Sequence, residues 1–322
     1  MQFYGFRAMT TEIQLGAAGD PKFVEDGFKA VTAWIRSCEQ RFTRFTDSSE
    51  LAEFNRSDGR WVSVSADMFD LLAEAYDLVE RTQGLFDPSI LPDLINAGYD
   101  RSIEMIRQPA TARPDPVQPN QAQAFPALAT RHLSFTSARL EPKDRSVRLQ
   151  PGMRLDLGGV AKGWMAERAA HKLAAYANSV AVDIGGDLFL LGEAEDAPDW
   201  EIGLEDPREP ATDLAILHVK APVAVATSSV VKRRWTQSQA TRHHIIDPRT
   251  GEPADTDWLC VTAVAPHGAQ AEAFAKSLLI AGSKEAGEVS QGLAGLAYIG
   301  VDQSGHLWGS ENSQELLHVT EK

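Results

Sequence analysis

Only two of the 322 residues are cysteine, Cys38 and Cys260. They form no CxxC pair and no Cys/His cluster, which excludes a disulfide framework and a cysteine-based zinc site. Both sit in apolar patterns and read as small core residues. Positive charge is also short: 31 Lys and Arg stand against 45 Asp and Glu, a formal net charge of -14. Surfaces that bind nucleic acid or acidic membranes are basic, so neither partner is expected. One small anion in a locally positive pocket remains compatible with that balance. The N-terminal MQFYGFRAMTTEIQLGA has no basic start leading into an apolar run and no cysteine to lipidate. No stretch is apolar over bilayer length. No membrane insertion is expected, and the cytoplasm is the expected compartment. Gly-x-Ser-x-Gly elbows, HExxH and EF-hand loops are missing as well, which removes the commonest hydrolase and metalloprotease readings.

What is present is ordinary for a folded soluble protein: 43% hydrophobic and 24% charged residues. The length allows one large domain or two intimate lobes with a sizeable core. Residues 2–15 alternate as a strand, with Ile13 and Leu15 on one face. Val24, Phe28, Val31, Ile35, Cys38 and Phe42 fall at helical spacing within 21–42. A second helix is predicted over 66–83, with Ser65 as N-cap and Gly84 as its end. Five prolines punctuate 107–128, which predicts a Pro-rich surface insertion. Beyond it strands and helices alternate. Helices fit about 160–176 and 269–281, and strands fit 179–184, 188–191, 214–219, 222–227, 243–246, 258–265 and 296–301. Short strands with few helical crossovers predict an α+β fold of mixed and antiparallel sheets flanked by helices.

Several stretches can carry chemistry. Asp156-Leu157-Gly158-Gly159-Val160-Ala161-Lys162-Gly163 opens a predicted helix. Paired glycines there let a ligand approach the backbone, and a helix N-terminus suits a phosphate. Lys162 would add positive charge. A plain strand–helix turn explains the same residues equally well. Asp183–Asp187, with Gly185 and Gly186 between apolar strands, reads alone as a hairpin. His243 and His244 precede Asp247-Pro248-Arg249-Thr250-Gly251, which has turn chemistry. A histidine near neutral pKa can act as acid or base there. Adjacent residues of a strand point to opposite faces, so only one of the two would face a given site. Glu272 and Lys276 are four apart on a predicted helix and alone read as an ion pair. Gly84-Leu85-Phe86-Asp87-Pro88 alone reads as a helix-terminating turn, though Asp87 can accept hydrogen bonds from a ring N–H.

Taken in order, these stretches resemble the FAD:protein FMN transferase family, also called the ApbE family. Arg44–Leu51 with Asn55, Gly84–Pro88, Asp156–Gly163, Asp183–Asp187, Val225–Ser228 and His244–Gly251 each match a family segment. The resemblance spans nearly the whole chain and implies one transferase-like domain over 1–322, built of two interleaved lobes with the ligand cleft between them. It implies transfer of FMN from FAD to a Ser or Thr hydroxyl of a target flavoprotein, with AMP leaving and magnesium assisting. By the same resemblance Met9, Phe45, Thr46, Asp87, Gly158, Gly159, Lys162, Trp164 and Ile245 contact FAD, and His244 assists transfer. Ala161, through its carbonyl, and the pair Glu272 and Lys276 occupy the metal positions. Two departures stand out. The family has Asp and Thr where this chain has Glu272 and Lys276, and a charged lysine has no lone pair for a metal. Ser229–Arg234 replaces a segment that usually carries Gly and an aromatic residue. The altered pair keeps two alternatives open: an FAD carrier or scavenger without transferase activity, and an FAD pyrophosphatase giving FMN and AMP.

Overall fold

The computed structural model describes residues 1–107, 133–194, 197–237 and 240–319. From residue 108 onward the expected insertion at 107–128 lies outside them. Eight strands form the central sheet: β1 (Gln2–Ala8), β2 (Thr11–Ala18), β3 (Ser179–Ile184), β4 (Asp187–Leu191), β5 (Val223–Ser229), β6 (Trp258–Ala265), β7 (Ala297–Asp302) and β8 (Leu307–Gly309). Every neighbouring pair is antiparallel, and the order across the sheet is the order along the chain. The expected α+β architecture is the one observed.

The chain leaves this meander between neighbouring strands, and that makes its parts interleave. Between β2 and β3 it builds α1 (Pro21–Phe42), α2 (Glu50–Asn55), α3 (Ala66–Arg81), α4 (Leu91–Asn96), α5 (Ile103–Arg107) and α6 (Ala161–Leu173). Between β6 and β7 it builds α7 (Gly268–Gln291). Asp20 starts α1 by accepting from the Lys22 and Phe23 N–H groups, with Pro21 in the first turn. Ser65 caps α3 as expected, accepting from Met68 N–H at 3.3 Å. The predicted apolar stripe of α1 is buried in full.

Strand β6 is apolar almost throughout, and β5 over Val223–Ala226, because both faces of the sheet are covered. Ala224, Ala226, Val261 and Ala263 face the main core under α6 and α7. Val223, Val225 and Val264 face a second core, shared with strands Trp200–Glu205 and Asp213–Val219. The split follows the period of two.

Two local expectations change. Residues 2–15 are not one strand but most of the β1–β2 hairpin, turning at Met9 and Thr10, both at positive φ (53° and 57°). The turn lacks the usual Gly or Asn signal. It is held instead by Glu39 of α1, whose carboxylate accepts from the Met9 N–H. The strand expected at 243–246 is split: Ala240–His243 pairs with Arg234–Gln237, and Ile246–Asp247 pairs with Glu252–Pro253.

Helices α6 and α7 touch through bare backbone. A Cβ added at Gly163 would lie 2.2 Å from the Gly268 carbonyl oxygen, and one at Gly268 would lie 2.0 Å from that of Gly163. This contact brings the first turns of both helices, and the charged residues on them, to the same place.

Candidate active site

A cleft of about 1160 Å³, counting its open mouth, lies where the β1–β2 turn, the chain after α1, the glycine turn before α6 and the segment around Arg233 and His244 converge. Aromatic rings, charged groups and bare backbone face it together, the lining expected of a site for a polar small molecule. Met9, Phe45, Asp87, Gly158, Gly159, Ala161, Lys162, His244 and Lys276 all line it. These expected residues are brought together from segments spread over the whole chain.

The glycine turn is built by Asp156. Its Oδ1 accepts from the Gly158 N–H at 2.8 Å, and its Oδ2 accepts from Arg44 Nε at 2.5 Å. Arg44 also donates to the Tyr99 carbonyl at 2.7 Å and lies over the Phe45 and Tyr99 rings. Asp87 borders the cleft, yet its carboxylate also ties the wall together. It accepts from the Ser89 N–H at 2.9 Å, the Ser89 hydroxyl at 2.5 Å and the Phe135 N–H at 3.1 Å.

The charged residues on α6 and α7 are arranged differently from the simple i,i+4 pair. Lys162 Nζ donates to Asp187, at the start of β4, and to Glu272 Oε1 at 2.8 Å. The other Glu272 oxygen accepts from the Gly163 N–H at 2.9 Å. Burial opposes the charge on Lys162, but Asp187 and Glu272 outweigh it and raise its pKa. Two buried carboxylates share that one ammonium, so burial raises the Asp187 pKa against the pull of Lys162. Lys276 is not ion-paired with Glu272: its Nζ donates to the Gly159 carbonyl at 3.2 Å. Burial lowers its pKa, with Glu272 acting the other way.

These positions do not fit a divalent cation. Glu272 has both oxygens engaged, Lys276 as an ammonium offers no lone pair, and Lys162 stands between the two nearest carboxylates. Among the described residues no group of three His, Cys, Asp or Glu side chains can hold a metal. Of the positions expected to hold a metal, Ala161 and Lys276 border the cleft, and Glu272 is buried behind it.

Three expected FAD contacts are not among the lining residues. Trp164 is buried one layer behind the cleft, against Trp34 and Phe42 at 6.0 Å between ring centres. It follows Gly163 on the helix face that turns towards α1. Ile245 is buried in the core, and its carbonyl accepts from the Ala254 N–H, so it backs His244 rather than facing the ligand. Thr46 is exposed in the turn before α2, where its carbonyl accepts from the Ser49 N–H. Conversely Arg44, Tyr99 and Arg233 line the cleft without having been singled out as contacts. Lys232-Arg233-Arg234, a basic run in an acidic chain, was the available signal for the last.

His244 borders the cleft, and its Nδ1 has no hydrogen-bond partner among the described residues. Burial, then the positive charges of Arg233 and Lys276, hold its pKa well below the usual 6.5. The ring is therefore neutral at neutral pH and able to accept a proton. His243 ends its strand and places Nε2 3.2 Å from the Ala254 carbonyl. One histidine of the two faces the cleft, as expected, but because the strand stops between them.

The family model described as the ApbE family matches residues 9–299. The chain belongs to the ApbE family. Among curated proteins it is similar to the FAD:protein FMN transferase of Treponema pallidum, 32% identical over 272 residues, covering 80% of this chain and 72% of that protein. Among solved structures it is similar to the ApbE protein of Thermotoga maritima, with TM-score 0.79, 23% identity, and 98% and 99% of the two chains covered. It is also similar to the flavinyl transferase ApbE of Pseudomonas stutzeri, with TM-score 0.77, 19% identity, and 98% and 96% covered. The two structural likenesses establish the fold. In this ApbE-family chain no helix among the described residues is long and apolar enough to cross a membrane.

Proposed function

We propose that this chain transfers FMN from FAD to a Ser or Thr hydroxyl of a flavin-accepting protein in the same compartment, releasing AMP, and that residues 1–322 work as one domain. The observation that carries this reading is the convergence on one cleft of the glycine turn, the aromatic and arginine wall at 44–45 and 99, and His244 with its Nδ1 unpartnered among the described residues. The identity with a protein named FAD:protein FMN transferase supports it.

The chemistry follows from the placement. The glycine turn lets a diphosphate approach the backbone, and it leaves room for Asp156 and Lys276, which a Cβ at Gly158 or Gly159 would crowd. His244 takes the proton of the acceptor hydroxyl as its oxygen bonds to the FMN phosphorus. The bond from that phosphorus to the bridging oxygen breaks, and AMP leaves carrying that oxygen. Holding the reactants in line and meeting their charge is the larger part of catalysis in such transfers. Magnesium, which the family resemblance implies, has no donor set at 272 and 276, and no step is assigned to it. The test is incubation with FAD and a flavin-accepting protein. Covalent flavin on the acceptor with equimolar AMP supports transfer. FMN and AMP without a labelled acceptor would replace it with a pyrophosphatase, and bound but unchanged FAD with a carrier.

A further inference from the structure

We propose that Lys276 and Arg233 together form a fixed cation that holds the diphosphate of the substrate, so that the dinucleotide binds without a divalent metal. The inference rests on FAD being the ligand of this cleft. Lys276 and Arg233 both line the cleft, together with His244, whose pKa both depress. Neither is ion-paired with a carboxylate among the described residues, whereas Lys162 serves Asp187 and Glu272, Arg44 serves Asp156, and Lys232 serves Glu205. Lys276 spends one of its three donors on the Gly159 carbonyl. Arg233 bonds to the Tyr99 side chain, which carries no charge at neutral pH.

Lys276 is half-buried with no carboxylate in contact, and an anion in the cleft would complete it. The diphosphate of a dinucleotide supplies two negative charges, and Lys276 with Arg233 supplies two positive ones. A guanidinium fork adds bidentate geometry suited to phosphate oxygens. The site that lacks a place for a divalent ion thus carries its charge on side chains. Arg233 sits in the same Ser229–Arg234 segment that departs from the family pattern, so the two departures meet at one function.

The experiment is calorimetric binding of FAD, and of riboflavin as a phosphate-free probe, with chelator and with magnesium. The parent is expected to bind FAD within twofold in both buffers. Lys276→Met should weaken FAD binding in chelator by at least about tenfold, the size of losing a charged hydrogen bond, and leave riboflavin within twofold. Lys276→Arg should restore most of it. Should Lys276→Met fail to fold by circular dichroism, Arg233→Gln reads the same loss. FAD affinity that collapses in chelator and returns with magnesium overturns the proposal. So does a variant that binds FAD as the parent does, or one that loses riboflavin equally. Absence of FAD binding by the parent in either buffer overturns the FAD reading itself, and this inference with it.

Discussion

Lys162→Met removes the one ammonium that Asp187 and Glu272 share. Both carboxylate side chains are only 3% exposed. Breaking a buried pair by deleting one partner costs about 3–5 kcal/mol, because the remaining charge is left uncompensated. Glu272 keeps its bond from the Gly163 N–H, so Asp187 bears most of the loss. Urea titration of the variant at about pH 8 should show a drop in unfolding free energy of that size, about 3–5 kcal/mol. The sign of its pH dependence follows from linkage. Stranded carboxylates have folded-state pKa values above their unfolded ones. Their contribution is then fully present below the unfolded pKa and is lost as pH rises through the folded one. The deficit should therefore shrink on moving from about pH 8 to about pH 5. In the parent, burial already raises Asp187 in the same direction. Adding Asp187→Asn and Glu272→Gln should recover most of the loss, since the amides need no counter-charge and the glutamine oxygen can still accept from Gly163. A deficit under about 1 kcal/mol, the scale of an exposed pair, would refute the reasoning. So would a deficit that does not change with pH.

His244→Ala should lower transfer by about 10²–10⁴-fold while FAD still binds, and His243→Ala should do much less; equal losses in single-turnover assays would deny His244 its role as base. The acid limb of the parent's pH–rate profile should lie below 6.5, and Lys276→Thr should move it upward by removing one of the positive charges that depress His244. Asp87→Ala should cost about 1–3 kcal/mol in thermal unfolding as well as FAD affinity, because it leaves the buried N–H groups of Ser89 and Phe135 without their acceptor. Gly163→Ala should destabilise by about 1–3 kcal/mol or more, since its Cβ would meet the Gly268 backbone; an unchanged melting temperature would show that α6 and α7 can part freely.

Much of the fold was legible because period and caps agree in the long elements. Helix α1 shows both an apolar stripe and an Asp-Pro start, and β3 to β6 follow their apolar runs closely. The β1–β2 turn was not legible, because a carboxylate from another helix, Glu39, holds residues that carry no turn chemistry of their own. The ordered motifs did point to residues that line the cleft, on the glycine turn and at Asp87, His244 and Lys276. Trp164 and Ile245 stand in the same motifs yet lie behind the cleft wall, because a motif does not tell which neighbour along a helix or turn faces outward. Nor does spacing reveal pairing: Glu272 and Lys276 share a helix face, yet Glu272 is drawn to Lys162, 110 residues away in sequence.

The backbone contact of Gly163 with Gly268 sets the gap between α6 and α7 by two missing side chains, not by the ions beside it. The charges at 162 and 272 then bridge a gap that the two glycines have already closed. A side chain at 163 or 268 would push the first turns of both helices apart, and with them the placement of Lys162, Glu272 and Lys276.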